Sequence, residues 1–387
     1  MTQDAMSQSH ASFTKPTLLA SLPPSALPKP HGGPESPRLI VIGDVHGQSS
    51  ALDELLAKVG YSRARGDVVI FTGDMVNKGP DSGGVVDRAV AMGAYSVRGN
   101  HEDRVLRAWD EMQAKDSLDT ESETDTDIDE EEIEGGGGGG VETESKKKHK
   151  NKHKNKHKHK HHKSKKGDRK TAKSLTPAQR SWLAARPVIL RLGNVSPYYG
   201  DVVVVHGGLV PGVPLEKQDP QVVMNIRTII TPSSSPSSSP PSSLLDPPNS
   251  SSADPLSHPH LEPSEGREGR PWSKVWNALE KEKQKQKRRA RPGGPAAEPP
   301  TTVVYGHDAK TGLSVRRYAF GVDTNCARGG ELTALVFEAT GSSAEEGDAS
   351  VGSNGDEGEG EGEGDAELAA ARHGIKHRLV SISCRGR

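Results

Sequence analysis

Aromatic side chains make up only 4% of the 387 residues, and all hydrophobic types together only 31%. Two fully packed domains would need a larger apolar share, so the composition predicts one globular domain of roughly 200 residues carrying long disordered segments. Cysteine is almost absent: Cys326 and Cys384 are the only two. The expectation is therefore a fold without a disulfide framework, in a reducing compartment. No apolar run approaches the roughly 20 residues of a membrane span. Met1 to Pro37 is polar and Pro-rich, without a basic start and long apolar core, so a secretory leader is not expected either.

Charge is plentiful but segregated. The formal net charge of -1 conceals an acidic block at 118–134 and an almost pure Lys/His tract at 146–170, with the unbroken run Gly135 to Gly140 between them. Residues 231–270 are dominated by Ser and Pro, and 341–367 alternate Gly with Glu and Asp. Such segments bury too little apolar surface to offset an ordering entropy of about 1–2 kcal/mol per residue. The predicted organisation is a disordered segment at 1–37, then a single domain at 38–384 interrupted by inserts at 111–173, 231–270 and 341–375. Loop closure entropy rises only logarithmically with length, so one fold tolerates these inserts. The Lys/His tract could contact polyanions or act as a solvated linker; without interleaved aromatics it does not resemble a base-reading module.

The ordered remainder has one recurring device. Short β-branched runs end in Gly-flanked polar residues: Gly43-Asp44-Val45-His46 after Leu39-Ile40-Val41-Ile42, Gly73-Asp74 after Val68-Val69-Ile70-Phe71, and Gly99-Asn100-His101-Glu102 after Tyr95-Ser96-Val97. His206-Gly207-Gly208 and Gly306-His307 follow two further runs, Val202 to Val205 and Val303-Val304-Tyr305. Buried strands that end in this way present ligands at the rim of an α/β sheet, and five of them point to one metal centre. Between strands, Leu52, Leu55, Leu56 and Val59, and again Val85, Val86, Ala89 and Val90, recur at helical spacing. Ser82 is an N-cap candidate; Thr176 before Pro177 is another. Trp272, Val275, Trp276 and Leu279 mark a further amphipathic helix, whose tryptophans read as core. Arg378 to Ile382 alternates as an edge strand would.

In order and spacing, these blocks resemble the calcineurin-like metallophosphoesterases, in the branch of the protein Ser/Thr phosphatases and symmetrical diadenosine tetraphosphatases. The pattern is most similar to fungal members related to zinc-dependent endopolyphosphatases. The resemblance implies an α/β fold, a four-layer αββα sandwich with metals at the strand ends. It implies that Asp44, His46 and Asp74 hold one divalent metal, and that Asp74 bridges to a second completed by Asn100, His206 and His307. Mixed carboxylate and imidazole ligands suit Zn, Mn or Fe, with Mg or Co as alternatives. A water ionised between the two cations would attack phosphorus, with His101 protonating the leaving oxygen.

Two positions depart from the family pattern. Where protein phosphatases carry an Asp that pairs with the His and an Arg that grips phosphate, this chain has Asn77 and Lys78. Asn77 can orient the imidazole but cannot raise its pKa by charge. Lys78 keeps the positive charge without bidentate geometry, or is simply a solvated turn residue. Arg98 touches substrate or supports the ligands; Arg227 binds phosphate or forms a surface salt bridge. The predicted activity is phosphoester or phosphoanhydride hydrolysis, on phosphoproteins, dinucleoside polyphosphates or inorganic polyphosphate, by a monomer. The alternative is a catalytically weak protein that binds polyanions or partners through the same fold and its charged inserts. A cytoplasmic or nuclear location is expected, with the vacuole as alternative.

Overall fold

The computed structural model describes residues 13, 15–33, 35–122, 166–230, 261–289, 299–341 and 370–385. In chain order these form β1 (Leu19–Ser21), β2 (Leu39–Ile42), α1 (Ser49–Val59), β3 (Val68–Phe71), α2 (Ser82–Met92), β4 (Tyr95–Ser96) and α3 (Asn100–Ser122). Next come α4 (Lys166–Ser174), α5 (Pro177–Ala184), β5 (Ile189–Ser196), β6 (Gly200–Val205), α6 (Pro220–Asn225), β7 (Thr228–Ile230), β8 (Glu262–Ser264) and β9 (Arg270–Pro271). The chain closes with α7 (Trp272–Arg289), β10 (Thr301–Tyr305), β11 (Ser314–Arg316), β12 (Ala319–Gly321), β13 (Glu331–Ala339) and β14 (Ile375–Ser383).

Two sheets stack face to face. One runs β14-β13-β2-β3-β4, the other β1-β5-β6-β10-β12-β11, and a small third sheet runs β8-β7-β9. Alternation along β2 explains the stacking. Leu39 and Val41 join Leu190, Leu192, Val202, Val204, Val304 and Phe320 between the sheets. Ile40 and Ile42 face the opposite way and pack with Leu52 and Leu55 of α1 and Val85, Val86 and Ala89 of α2. The other sheet's outer face, with Val203, Val205 and Val303, is covered by Val223 and Met224 of α6 and by Trp272, Val275 and Trp276 of α7. All four β2 side chains are fully buried, each stabilising by about 1.5–3 kcal/mol at most. The result is the expected four-layer αββα sandwich.

The parallel pairings set the site. β2, β3 and β4 run parallel to one another, as do β6 and β10, so the carboxyl ends of both sets collect at one rim. Several local expectations change. Residues 19–21, placed in the disordered N-terminal segment, pair in parallel with β5 from Leu19↔Ile189 to Ser21↔Arg191. The insert expected at 111–173 is helical at both described ends, since α3 continues to Ser122 and α4 begins at Lys166. Likewise β8 lies inside the expected 231–270 insert. The central parts of all three inserts, with most of the Lys/His tract 146–170, lie outside the described residues.

Helix α2 is capped by Asp81, whose carboxylate accepts the Gly84 N–H at 2.8 Å, rather than by Ser82. The Ser82 hydroxyl instead accepts the Asn77 N–H at 3.0 Å, steadying the site loop. Thr176 caps α5 as expected and forms a reciprocal capping box with Gln179. Strand β14 takes the edge of its sheet. The expectation of no disulfide is overturned: Cys326 and Cys384 are bonded to each other. Spacing alone does not reveal a pairing across 58 residues.

Candidate metal centre

Five strand ends deliver the predicted ligands to one buried cluster. The closest ligand atoms of Asp44, Asp74 and His206 lie within 4.8 Å of one another, and so do those of His46, Asp74 and His101. Asp74 is common to both groups. Its Oδ1 stands 3.3 Å from His206 Nε2, and its Oδ2 stands 3.5 Å from His46 Nε2. His307 Nδ1 lies 3.1 Å from His206 Nε2.

Backbone carbonyls fix the imidazoles. His46 Nδ1 lies 3.0 Å from the Val76 oxygen, His206 Nδ1 2.8 Å from that of Thr72, and His307 Nε2 3.2 Å from that of Asn225. A carbonyl can only accept, so those three nitrogens carry the protons. In its neutral form each ring then carries its lone pair on the opposite nitrogen, the atom that faces Asp74 or its neighbours and that a metal would take. Asn100 completes the group at the start of α3. Its amide nitrogen donates to Asn225 Oδ1 at 3.1 Å, while its Oδ1 is buried with no hydrogen-bond partner.

The electrostatics are those of a site short of positive charge. Burial, then the Asp323 and Asp74 carboxylates, push Asp44 well above the ordinary carboxylate range. Burial would raise Asp74 too, but His206, His101 and His46 hold it well below. His206 stays above its usual value because Asp74 outweighs the cost of burying a charged ring. His46 and His307 are lowered, chiefly by burial.

The residues present fit a pair of divalent cations on three counts: imidazole nitrogens gathered around Asp74, two buried carboxylates, and the orphaned amide oxygen of Asn100 at the start of α3. Tight backbone packing supports the fit. A Cβ at Gly306 would collide with Asp44 Oδ1, and one at Gly99 with Asp74 Oδ1. Five of the site residues, His46, Asp74, Asn77, Lys78 and His307, hold positive φ angles between 47° and 71°. Such conformations cost energy and cluster where function requires them.

His101 sits beside the cluster, its Nε2 3.8 Å from Asp74 Oδ2, and burial pushes it down to about 3. Its Nδ1 lies 3.1 Å from Asn77 Nδ2, and the same amide nitrogen donates to Asp168 Oδ1 at 2.9 Å. Asp168, buried on α4, also receives Arg104 through two nitrogens at 2.9 and 3.2 Å. Composition hid Asp168, because Lys166 to Lys173 reads as a continuation of the basic tract.

Other predicted residues divide. Lys78 Nζ lies 2.7 Å from His46 Nε2, at the mouth of the cluster. Arg227 donates to the Glu265 oxygen at 3.0 Å, and its charge is close enough to help lower His307. Arg98 turns away. It is fully buried and holds the carbonyls of Phe13 and Ala184, with Asp103 at 3.4 Å. Its guanidinium joins the N-terminal segment to α3 and α5, so of its two expected roles the substrate contact is not the one it takes. Glu102 was the least visible contributor. It accepts the backbone N–H groups of Asp74, Met75, Val76 and Gly99 at 2.7–3.1 Å, tying two ligand loops together.

Comparison with known proteins bears on the family and the fold. Residues 37–310 match the calcineurin-like phosphoesterase family. The chain is 42% identical over 73 residues to a symmetrical bis(5'-nucleosyl)-tetraphosphatase from Acidovorax sp. (strain JS42), covering 18% of this chain and 25% of that protein. It is 32% identical over 96 residues to an asymmetrical bis(5'-nucleosyl)-tetraphosphatase from Oceanobacillus iheyensis, covering 21% and 38%. The matched stretches thus span only about a quarter to two-fifths of those relatives. A solved structure of a candidate diadenosine tetraphosphatase superposes with a TM-score of 0.50 at 23% identity, covering 83% of this chain and 93% of the other. At that identity the likeness shows the fold alone.

Proposed function

The chain belongs to the calcineurin-like phosphoesterase family, and from that premise we propose that it is a di-metal phosphohydrolase acting on phosphoanhydrides. Asp44, His46 and Asp74 would hold one divalent cation, and Asp74, Asn100, His206 and His307 the other. When bound, such cations supply charge neutralisation at the phosphoryl oxygens and ionise an attacking water. The observation that carries the reading is two buried ligand groups that share Asp74, Asp44 with His206 and His46 with His101, each within 4.8 Å, with the imidazoles of His46, His206 and His307 fixed by backbone carbonyls.

The chain's own residues supply the rest. Lys78, exposed at the mouth of the cluster, and Arg227 hold phosphate oxygens. Asn77 orients His101, which directs Nε2 at the leaving oxygen. Dinucleoside polyphosphates and inorganic polyphosphate are the favoured substrates. The tetraphosphatase relatives support the first, and the absence of an Arg at position 78 suits a flexible polyanion. Phosphoproteins are the less favoured class. The test is turnover of p-nitrophenyl phosphate, diadenosine tetraphosphate, tripolyphosphate and a phosphoserine peptide by protein reconstituted with Mn or Zn. Wild type should act on the anhydrides, whereas Asp74→Asn should lose metal and activity together. Equal turnover by wild type, Asp74→Asn and His101→Ala would defeat the proposal.

A further inference from the structure

Arg104 donates to Asp168 through two nitrogens, one to each carboxylate oxygen, so both oxygens act as acceptors. The Asn77 atom facing it must therefore be the amide nitrogen, because an amide oxygen 2.9 Å from a carboxylate would be repelled. That same nitrogen faces His101 Nδ1 at 3.1 Å. Nδ1 must then accept, which leaves the ring one proton, on Nε2. Four side chains from three places in the chain set this direction: the loop after β3, helix α3, and helix α4 beyond the acidic and basic inserts.

We infer that Asp168, acting through Asn77, is a positioning residue that sets leaving-group specificity by holding His101 as a singly protonated hydrogen-bond donor. The inference deepens the proposed hydrolase and rests on it. In hydrolysis the oxygen of water bonds to phosphorus, and the P–O bond to the leaving group breaks with its electron pair on the leaving oxygen. A phosphate leaving group departs as a stable anion and needs only the Nε2–H hydrogen bond. An alkoxide or a basic phenoxide must take up a proton, and a ring with one proton could supply it only by becoming imidazolate. The arrangement therefore favours anhydrides and activated esters over esters of serine or threonine.

Two measurements on the full-length chain test this. The first is the ratio of kcat/KM for p-nitrophenyl phosphate to that for phenyl phosphate, whose leaving groups differ in basicity. General acid catalysis contributes roughly 10²–10⁴-fold, so Asn77→Asp combined with Asp168→Asn, which sets a carboxylate directly against Nδ1, should lower the wild-type ratio about tenfold or more. Asp168→Asn alone, which frees the amide to turn, should lower it partway. A uniform loss on both esters with an unchanged ratio would mean that Asp168 merely fastens α4 to α3, and the inference falls. The second is the imidazole ¹⁵N spectrum of the metal-free protein, with the His101 signal identified by its loss in His101→Gln. Wild type should show Nδ1 unprotonated, and the double variant should show it protonated. A protonated Nδ1 in wild type overturns the inference. Should wild type hydrolyse neither of these esters nor diadenosine tetraphosphate nor tripolyphosphate, the proposed hydrolase fails, and the spectrum still decides how His101 is held.

Discussion

Glu102 commits both carboxylate oxygens to four backbone N–H groups, two on each. Burial pushes it up to about 7, so those hydrogen bonds are what reconcile the group with its surroundings. Glu102→Ala would leave several buried donors unpaired at about 1–3 kcal/mol each. We expect it to lower unfolding free energy by about 3 kcal/mol or more in a denaturant titration, and to reduce bound metal, because the Asp74 loop loses its tether. A change under about 0.5 kcal/mol, typical of surface positions, would show that the tether is dispensable. Lys78 makes the contrasting case, a residue whose removal should be felt by substrate and not by the fold. A charge-assisted hydrogen bond is worth about 1.5–3 kcal/mol, so Lys78→Ala should raise KM for tripolyphosphate roughly tenfold or more. An unchanged KM would return Lys78 to a solvated turn residue. Asn100 and the three histidines could be picked out from sequence, because each stands in a short Gly-flanked block just after a strand. Asp168, Arg104 and the role of Glu102 could not, because their work is done on other side chains or on backbone N–H groups that only the fold brings near.

At the level of elements, the sequence discloses strands and helices wherever apolar periodicity is strong, as in β2, α1 and α2. It fails at β1, three residues on a sheet edge, and at α4, whose buried residues Asp168 and Ala172 are lost among lysines. It fails also at α2's cap, where Asp81 and Ser82 are equally plausible by residue type. The junction of β2 and β3 offers a measurable element-scale effect. Asp67, just before β3, receives Arg38 at 2.7 and 3.2 Å, Arg65 at 3.1 Å and the Ser62 N–H at 2.9 Å. Burial would raise its pKa, but the hydrogen bond from Arg38, with those from Ser62 and Arg65, holds it below the ordinary carboxylate value. A carboxyl depressed on folding stabilises fully above its unfolded pKa of about 3.9 and loses that contribution as pH falls through the folded value. Denaturant midpoints measured at about pH 6 and about pH 3 should therefore fall less in Asp67→Asn than in wild type. Equal falls would mean that the Arg38–Asp67 pair contributes no acid sensitivity.

Across the whole molecule, the segment from β13 to the end of β14 returns the chain to the sheet that carries Asp44 and Asp74, and the Cys326–Cys384 bond ties that return in place. Among the described residues no helix is long and apolar enough to cross a membrane. The Cys384 N–H, just after β14, donates to the Gly330 carbonyl at 2.8 Å, and Cys326 follows the loop that holds Asp323 near Asp44. The bond therefore ties the loop before β13 to the end of the edge strand β14. Its residues are 58 apart, and closing a loop of that length in the unfolded chain corresponds to about 4 kcal/mol of stabilisation in the chain-entropy description. Cys384→Ser, or reduction with a thiol, should lower unfolding free energy by up to that amount, with an earlier denaturant midpoint and a similar slope. The extended β13–β14 pairing, from Glu331↔Ser383 to Ala339↔Ile375, should keep the native sheet assembled, so metal content at low denaturant should persist in the variant. Loss of metal without loss of stability would reverse that assignment: the bond would then hold the Asp323 loop against Asp44 and contribute little to the fold.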